Sequence, residues 1–304
     1  MDRSYRYLHF DVFTDRAFGG NQLAVFPDAR GLSDHSMQAI ANEMNFAETT
    51  FVFPAEQPDT DVRMRIFTPR AEMPMAGHPT VGSTFALART GLVVPPSERF
   101  VFGLNVGPTP VSLTWQGDRL AFVWMSQSKP AFSPPIDDVR GAAAMLSVRD
   151  RAIWSTNLPI QVVACGLPCL LVPLASRRDV DDASLDRAAL AAFARARRSM
   201  PAVVFIFSTE PGADGATAYS RMFAPDLGIG EDPATGGASG PLGCYLVAHK
   251  AVTVDQAAAM MSLQGVKLGR PSHVHISIGV ERGEIASVRV GGQSVFVGEG
   301  FLYA

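Results

Sequence analysis

The feature that most constrains the fold of this chain is a pair of similar segments that each lead from a strand into a helix. The first spans residues 67–83 and the second spans residues 223–237. Each opens with an aromatic-x-Pro turn and reaches a titratable residue followed by Pro-x-Val-Gly or Pro-x-Thr-Gly. The copies are spaced by 223 − 67 = 156 positions at the aromatic residue and by 232 − 78 = 154 positions at the titratable one. We therefore expect two related halves, with a ligand bound between them.

The composition favours two packed cores and argues against a polyanionic partner. The chain has 304 residues, of which 47% are hydrophobic and 18% charged, as is typical of globular proteins with about two domains. Its formal net charge is −3, and it contains no run of lysine or arginine. Because nucleic acids and anionic membranes attract clustered basic side chains, we expect neither as a partner.

Cysteine usage and the N-terminal sequence predict a cytoplasmic protein. Cys165, Cys169 and Cys244 form an odd set that offers no disulfide framework, which favours a reducing compartment. The N-terminal residues contain no apolar signal core. The most apolar run, residues 162–174, is shorter than the roughly 20 residues that a membrane helix needs.

Hydrophobic periodicity predicts an α+β fold in which strands outnumber helices. Connections of hairpin length are frequent, and each half has one strong helix directly after the repeated segment. We predict that residues 1–125 form the first half and residues 126–284 the second. The predicted helices span residues 34–45, 79–90, 137–149, 183–197, 238–250 and 254–263.

His78 and Asp232 stand immediately before the two strong predicted helices and are candidate acid/base groups. The positive end of a helix dipole favours a neutral imidazole and an ionised carboxylate. Two plainer interpretations stay open from the residues alone. Asp232 could be a simple helix N-cap, and His78 could be a turn histidine bonded to the backbone.

Small residues at the two helix starts are candidate substrate-binding positions. A helix start leaves backbone N–H groups unpaired, and glycine lets an anion approach them closely. We therefore expect a substrate carboxylate at Gly77, Gly82, Ser83, Gly236 and Gly237. The alternative is that these residues only permit tight turns and helix packing, but their occurrence in two copies favours binding.

Glu48 is the third candidate acid/base group. It is flanked by Phe46 and Ala47 and precedes an aromatic strand. A carboxyl group in apolar surroundings has a raised pKa, as a general acid/base near neutral pH requires. The alternative is an exposed loop glutamate. No metal site is predicted, because the histidines do not cluster at metal-ligand spacing, and no dinucleotide or phosphate-binding loop motif is present in the sequence.

Several segments, in order along nearly the whole chain, resemble the PhzF family, which is named for an isomerase of phenazine biosynthesis. They include Asn-Phe-Ala-Glu at 45–48, Ala-Gly-His-Pro at 76–79 and Glu-Asp-Pro-Ala-Thr-Gly at 231–236. The others are at residues 10–13, 18–25, 65–69, 166–168 and 290–292. The resemblance implies a fold like diaminopimelate epimerase, with two similar halves that each wrap a mostly antiparallel sheet around a central helix. In such folds the last strand returns, so that residues 285–304 would complete the first half.

The resemblance also implies a chemistry. The family enzyme is a cofactor-free isomerase of trans-2,3-dihydro-3-hydroxyanthranilate, and its acid/base glutamate matches Glu48. His78 and Asp232 match its active-site histidine and aspartate, and they would hold and protonate polar groups of the substrate. The glycine amides would bind the substrate carboxylate. The family commonly has serine where this chain has Gly237, so that a side-chain hydroxyl of the family site is missing here.

Two other functions stay open. An epimerase or racemase of a small carboxylic acid could use the same residues, with Glu48 and Asp232 on opposite faces of the substrate. A non-catalytic protein that binds small molecules could keep the same cleft. The two-cysteine racemisation of the epimerase is disfavoured, because all three cysteines lie away from the helix starts. The resemblance also implies a homodimer.

Overall fold

A computed structural model describes residues 3–197 and 200–304. Its strands, in chain order, are β1 (Ser4–Val12), β2 (Asn21–Phe26), β3 (Glu48–Pro54), β4 (Val62–Phe67), β5 (Glu72–Met73), β6 (Arg99–Leu104), β7 (Gly107–Gln116), β8 (Arg119–Gln127), β9 (Ala131–Phe132), β10 (Gln161–Ala164), β11 (Pro168–Pro173), β12 (Val203–Ser208), β13 (Ala218–Ala224), β14 (Ile229–Asp232), β15 (Met260–Gln264), β16 (Ser272–Glu281), β17 (Glu284–Gly292) and β18 (Ser294–Tyr303).

The α-helices agree with most of the sequence-based expectations. In chain order they are α1 (Asp34–Met44), α2 (Gly77–Arg89), α3 (Val139–Leu146), α4 (Asp150–Trp154), α5 (Arg177–Asp182), α6 (Arg187–Arg195), α7 (Gly236–Ala248) and α8 (Val254–Ala257). Ser33 caps α1 as expected, because its side chain accepts a hydrogen bond from the Ser36 N–H. None of the described helices is long and apolar enough to span a lipid bilayer.

One predicted helix is wrong in its second half. Residues 254–263 were expected to form a single helix, but α8 ends at Ala257 and residues 260–264 form β15. This strand pairs with both β13 and β16, and Met260, Ser262 and Leu263 are buried within it. Pairing with two distant strands outweighs local helix propensity here, because it satisfies the hydrogen bonds of the backbone on both sides.

The chain divides into two compact units. The first comprises the described residues up to Ser126 together with Val290–Ala304, and the second comprises Gln127–Arg289. The division expected from the sequence, at residues 1–125 with 285–304 and at residues 126–284, stays a prediction about which parts of the chain fold together.

The two units share one pattern of strand pairing. In the first unit the strands pair in the order β18-β1-β2-β3-β4-β6-β7-β8, with β5 also beside β4. In the second unit the order is β9-β10-β11-β12-β13-β15-β16, with β14 beside β13. Parallel pairs occur at equivalent places, β2–β3 and β4–β6 in one unit and β11–β12 and β13–β15 in the other. The other pairs named here are antiparallel.

Each sheet curves around one buried helix. Helix α2 contacts β1, β2, β3 and β18, while α7 contacts β10, β11 and β16. Both helices are built from small and apolar residues and are buried over most of their length. A helix without a polar face is stable only inside a core, which explains why the sheet of each unit encloses it.

The sheet of the second unit packs on both faces. Val203, Phe205 and Phe207 of β12 belong to the core around α7. The alternate residues Val204 and Ile206 pack with α3, α5 and α6, as the period of two along a strand requires. The predicted fold class is confirmed, since the protein is α+β with two similar halves, each a mostly antiparallel sheet wrapped around a central helix.

Candidate active site

Glu48 is the first residue of β3, and it is buried. Helix α1 ends at Met44, and the left-handed backbone of its C-cap residue Asn45 (φ of 52°) turns the chain back towards the sheet. Glu48 then pairs with Leu23 of the parallel neighbour β2, and only 8% of its surface is exposed. The interpretation of Glu48 as an exposed loop glutamate is therefore wrong.

His78 lies inside the first turn of α2, not immediately before the helix as expected. The helix begins at Gly77, and its N-cap is Ala76, whose side chain makes no capping hydrogen bond. The expected start at residue 79 was wrong because proline favours the first helical position, whereas Pro79 is the third residue of α2. This placement puts His78 in the first turn, whose backbone N–H groups have no partner within the helix.

The first unit brings Glu48 and His78 together. The Glu48 Oε2 lies 3.1 Å from the His78 Nδ1, and the Asn21 Nδ2 lies 3.4 Å from the same nitrogen. Because the Asn21 amide nitrogen can only donate, Nδ1 cannot both accept from Asn21 and donate to Glu48. The shorter contact defines a Glu48–His78 pair that holds a proton either on Nδ1 or on the carboxyl group.

Burial determines the charge of His78. The side chain is 5% exposed, and desolvation lowers the pKa of its imidazole to about 3, opposed by a backbone hydrogen bond with Gln22. The imidazole is therefore neutral near pH 7, as the position at a helix start predicts. Its Nε2 is buried and has no hydrogen-bond partner among the described residues. An unpaired buried ring nitrogen is costly and marks a place for a ligand atom.

Asp232 ends β14 in the second unit and is 5% exposed. It is not a helix N-cap, because Thr235 holds that position before α7. The Thr235 hydroxyl donates to the Asp232 Oδ2 over 2.5 Å, and the Gln264 Nε2 donates to the Asp232 carbonyl oxygen over 2.7 Å. The simple N-cap interpretation is therefore wrong, and Asp232 belongs to a buried polar cluster that it forms with Thr235 and Gln264.

Strand register corrects the equivalence of His78 and Asp232. Ile66 pairs with Met73 in the first unit, and Met222 pairs with Asp232 in the second. Because Ile66 and Met222 lie at equivalent positions of β4 and β13, the counterpart of Asp232 is Met73. The helix starts align Ala76 with Thr235, an offset of 235 − 76 = 159 rather than 156, so the counterpart of His78 is Gly237.

Each unit also has an arginine–glutamate pair that the sequence reasoning missed. Arg65 donates to Glu72 through Nε and Nη2 at 2.8 Å and 2.6 Å, and Arg221 donates to Glu231 in the same way at 2.8 Å and 2.8 Å. These pairs tie β4 to β5 in the first unit and β13 to β14 in the second. The recurrence of arginine two residues before each Phe-x-Pro turn was the signal that could have found them.

The glycines and Ser83 differ in their surroundings. A side chain at Gly82 would meet Val12 and Leu23 within 2.5 Å and 2.6 Å, and the Ser83 hydroxyl lies 2.9 Å from that of Thr50. These contacts favour packing roles, and substrate binding by Gly82 and Ser83 stays a prediction. Gly77 begins α2, and Gly236 and Gly237 begin α7, where unpaired backbone N–H groups suit an anion.

The described part of the chain contains no group of three or more His, Cys, Asp or Glu side chains that could hold a metal ion. Its three cysteines are buried and free. Glu48 and His78 are the buried acid/base groups that the first unit brings into contact.

Comparisons with known proteins agree with this arrangement. The PhzC-PhzF family, described as phenazine biosynthesis-like protein, matches residues 10–300. The trans-2,3-dihydro-3-hydroxyanthranilate isomerase of Pseudomonas aeruginosa is 34% identical over 303 residues, which cover 98% of this chain and 99% of the relative. The crystal structure of a PhzF-family phenazine biosynthesis protein from Bacillus anthracis matches with a TM-score of 0.85 and 25% identity, over 99% of both chains.

The same fold extends to more distant enzymes. A probable proline racemase from Agrobacterium radiobacter has a TM-score of 0.65 at 14% identity, over 97% of this chain and 92% of its own, and at this identity the likeness concerns the fold alone. The predicted epimerase-like fold is thereby confirmed. The full-length match to named isomerases is the basis for assigning the chain to a class: it belongs to the PhzC-PhzF family of phenazine biosynthesis-like proteins and is an isomerase.

Proposed function

We propose that the protein is a cofactor-independent isomerase that shifts a proton within a small cyclic carboxylic acid, with Glu48 as the general acid/base. The observation that carries this proposal is the buried contact of 3.1 Å between the Glu48 Oε2 and the His78 Nδ1. A carboxyl group held next to a neutral imidazole and shielded from water is suited to proton transfer. The substrate class follows from the relative that acts on trans-2,3-dihydro-3-hydroxyanthranilate.

The proposed reaction is an allylic shift. The ionised Glu48 removes a proton from one ring carbon, and the electron pair of the broken C–H bond forms a new C=C bond. The electron pair of the original double bond then takes a proton from Glu48 at the far carbon. No atom or electron is gained or lost, so that the chain needs to supply only an acid/base group and its hydrogen bonds.

His78 orients Glu48 in this scheme. While Glu48 is ionised, Nδ1–H donates to its Oε2, and Nε2 presents a lone pair to the substrate. When Glu48 holds the substrate proton on its other oxygen, Nδ1–H still donates to Oε2, so that the imidazole keeps its one proton and its tautomer. The unpaired state of Nε2 among the described residues supports a polar substrate group as its partner, because a buried ring nitrogen requires one.

The roles of the second unit rest on the family resemblance. Asp232 would hold a polar substituent, and the amides of Gly236 and Gly237 would bind the carboxylate. The joint action of Glu48, His78 and Asp232 on one substrate stays a prediction of the sequence, as do the roles of Gly77, Gly82 and Ser83. The cytoplasmic location and the homodimer also stay predictions.

The test compares Glu48→Gln with Glu43→Gln, a control at an exposed position of α1. Isomerisation of trans-2,3-dihydro-3-hydroxyanthranilate in deuterium oxide is followed by NMR, which reports both turnover and the entry of deuterium into the product. We expect Glu48→Gln to lower turnover by about 10²- to 10⁴-fold, the usual contribution of a general acid/base. The control keeps wild-type turnover, and both variants keep the wild-type melting temperature.

Unchanged turnover in folded Glu48→Gln would end the proposal. The same spectra separate the alternatives. Inversion at one carbon without a shifted double bond would identify an epimerase. Binding without deuterium exchange, over a panel of cyclic and amino acids, would identify a non-catalytic binding protein.

A further inference from the structure

The cluster that surrounds Asp232 has a fixed hydrogen-bond direction. Gln264 is fully buried, and Thr235 is 8% exposed. The Thr235 N–H donates to the Gln264 Oε1 over 3.0 Å, while the Gln264 Nε2 donates to the Asp232 carbonyl oxygen over 2.7 Å. A backbone N–H can only donate and a carbonyl oxygen can only accept, so that these two contacts determine which end of the Gln264 amide is oxygen.

The orientation of Gln264 then determines the proton of Thr235. The Gln264 Nε2 also lies 3.0 Å from the Thr235 Oγ1. Because an amide nitrogen is only a donor, the hydroxyl oxygen must accept from it. The single hydroxyl proton is left for the Asp232 Oδ2, which lies 2.5 Å away. This short distance is typical of a hydroxyl that donates to an ionised carboxylate.

We propose that Thr235 and Gln264 are positioning residues that hold the Asp232 carboxylate ionised and oriented through its Oδ2 and its backbone carbonyl. The proposal rests on the proposed function for the role of Asp232 in turnover, but the state of the carboxylate is a property of the substrate-free protein.

The first unit has no equivalent of this cluster. The counterpart of Asp232 is Met73, and the counterpart of Thr235 is Ala76, which has no hydroxyl group. Arg221 of β13 and Glu231 of β14 bind each other through two hydrogen bonds. The threonine and the glutamine therefore serve the aspartate and not a motif common to both units.

The test measures the pKa of Asp232 in the full-length, substrate-free protein by carbon-13 NMR of aspartate carboxyl groups, with the resonance assigned by Asp232→Asn. Thr235→Val removes the hydroxyl donor and keeps the size of the side chain. Loss of a hydrogen bond to the charged form raises the pKa, and we expect a rise of about one unit. Thr235→Ser keeps the hydroxyl, and in this variant the pKa of Asp232 stays at the wild-type value.

Two further variants separate positioning from packing. Ser239→Ala removes a buried hydroxyl on the same helix that donates to the Thr235 carbonyl oxygen over 2.9 Å, and it leaves the pKa of Asp232 unchanged. Gln264→Glu replaces the donor to Thr235 with a carboxylate that accepts the threonine proton, and it raises the pKa of Asp232. If Gln264→Glu does not fold, the pair of Thr235 variants decides the outcome.

Turnover distinguishes a failure of this proposal from a failure of the proposed function. We expect kcat of Thr235→Val to fall roughly tenfold, equivalent to the loss of one hydrogen bond to a charged group, with recovery in Thr235→Ser. An unchanged Asp232 pKa in folded Thr235→Val overturns the positioning role. A raised pKa with unchanged kcat supports the cluster and removes Asp232 from the proposed reaction.

Discussion

The two segments that lead into α2 and α7 have the same supports. In each, an arginine binds a glutamate through two hydrogen bonds, Arg65 to Glu72 and Arg221 to Glu231. In each, a hydroxyl on the fourth helical residue donates to the carbonyl of the N-cap residue, over 2.8 Å from Thr80 and 2.9 Å from Ser239. These contacts give the N-cap carbonyl at each helix start a side-chain donor from within the helix.

The titratable groups of the candidate site are not equivalent between the units. Phe67 pairs with the residue that follows Glu48, and the equivalent Phe223 pairs with the residue that follows Val203. Val203 is therefore the counterpart of Glu48. Asp232 corresponds to Met73, and His78 corresponds to Gly237 by the alignment of the helix starts. The comparison shows that the duplicated frame was kept, whereas each unit carries its carboxylate at a place where the other has an apolar residue.

The largest expected difference between the segments is the contribution of their two arginines to the free energy of unfolding. Arg221 is 7% exposed, and its Nη1 also donates to the carbonyl oxygens of residues 180, 181 and 183. Arg65 is half-buried and pairs with the exposed Asp34 in addition to Glu72. We expect Arg221→Met to lower the free energy of unfolding by about 3–5 kcal/mol, because it leaves buried polar groups unpaired. The same change at Arg65 should cost only about 1 kcal/mol.

Urea denaturation of both variants, followed by circular dichroism, checks this difference. The matched pair controls for the loss of an arginine side chain at equivalent positions of β4 and β13. Equal losses at the two sites would show that the additional carbonyl contacts of Arg221 contribute little to stability.

A smaller difference in the free energy of unfolding is expected when two helix glycines are replaced by alanine. Gly82 touches Val12 and Leu23, and an added methyl group would lie within 2.5 Å of the first and 2.6 Å of the second. At Gly237 the nearest atom, in Leu167, is 3.4 Å away. Gly82→Ala should therefore lower the free energy of unfolding by about 1–3 kcal/mol, as overpacked cores do, while Gly237→Ala changes it by less than about 0.5 kcal/mol.

Thermal unfolding of the two alanine variants at one protein concentration measures this effect. A tolerated alanine at Gly82 would mean that α2 can move away from β1 and β2 without loss. It would also reopen the substrate-binding role that the packing of Gly82 disfavours.

The smallest expected effect is the pH dependence that His78 contributes in the first unit. Burial lowers the pKa of His78 to about 3 from an ordinary value of 6.5. Between these values the unfolded chain binds one proton more than the folded chain, so that stability falls as the pH falls, by up to about 1.4 kcal/mol per unit. Above the ordinary value both states are neutral, and the group has no effect.

His78→Gln should remove this dependence. We expect the difference in free energy of unfolding between wild type and variant to shift by about 1 kcal/mol between pH 7 and 5.5, in the direction of a less stable wild type at the lower pH. Denaturation at matched ionic strength measures it. A constant difference over this range would show that folded His78 titrates at its ordinary value, and the neutral imidazole of the proposed mechanism would be lost.

Local signals in the sequence determined much of this protein. The capping of α1 by Ser33, the alternation along the strands and the small, apolar residues of α2 and α7 depend on neighbours in the chain, and such patterns can be recognised without coordinates. The order of short motifs was also enough to predict the PhzF family, which the full-length match confirms. The repeated segments predicted two similar halves for the same reason, because a duplicated pattern remains visible in the sequence.

Only the tertiary structure decided which residues of the two units are equivalent and which residues are in contact. The offset between the copies changes from 156 at Arg65 and Arg221 to 159 at Ala76 and Thr235, a difference in loop length that only strand register reveals. The contact of Glu48 with His78 and the enclosure of Asp232 by Thr235 and Gln264 join residues that are separated along the chain or belong to different strands. Burial and hydrogen-bond direction arise from such long-range packing, and they cannot be predicted from composition and periodicity.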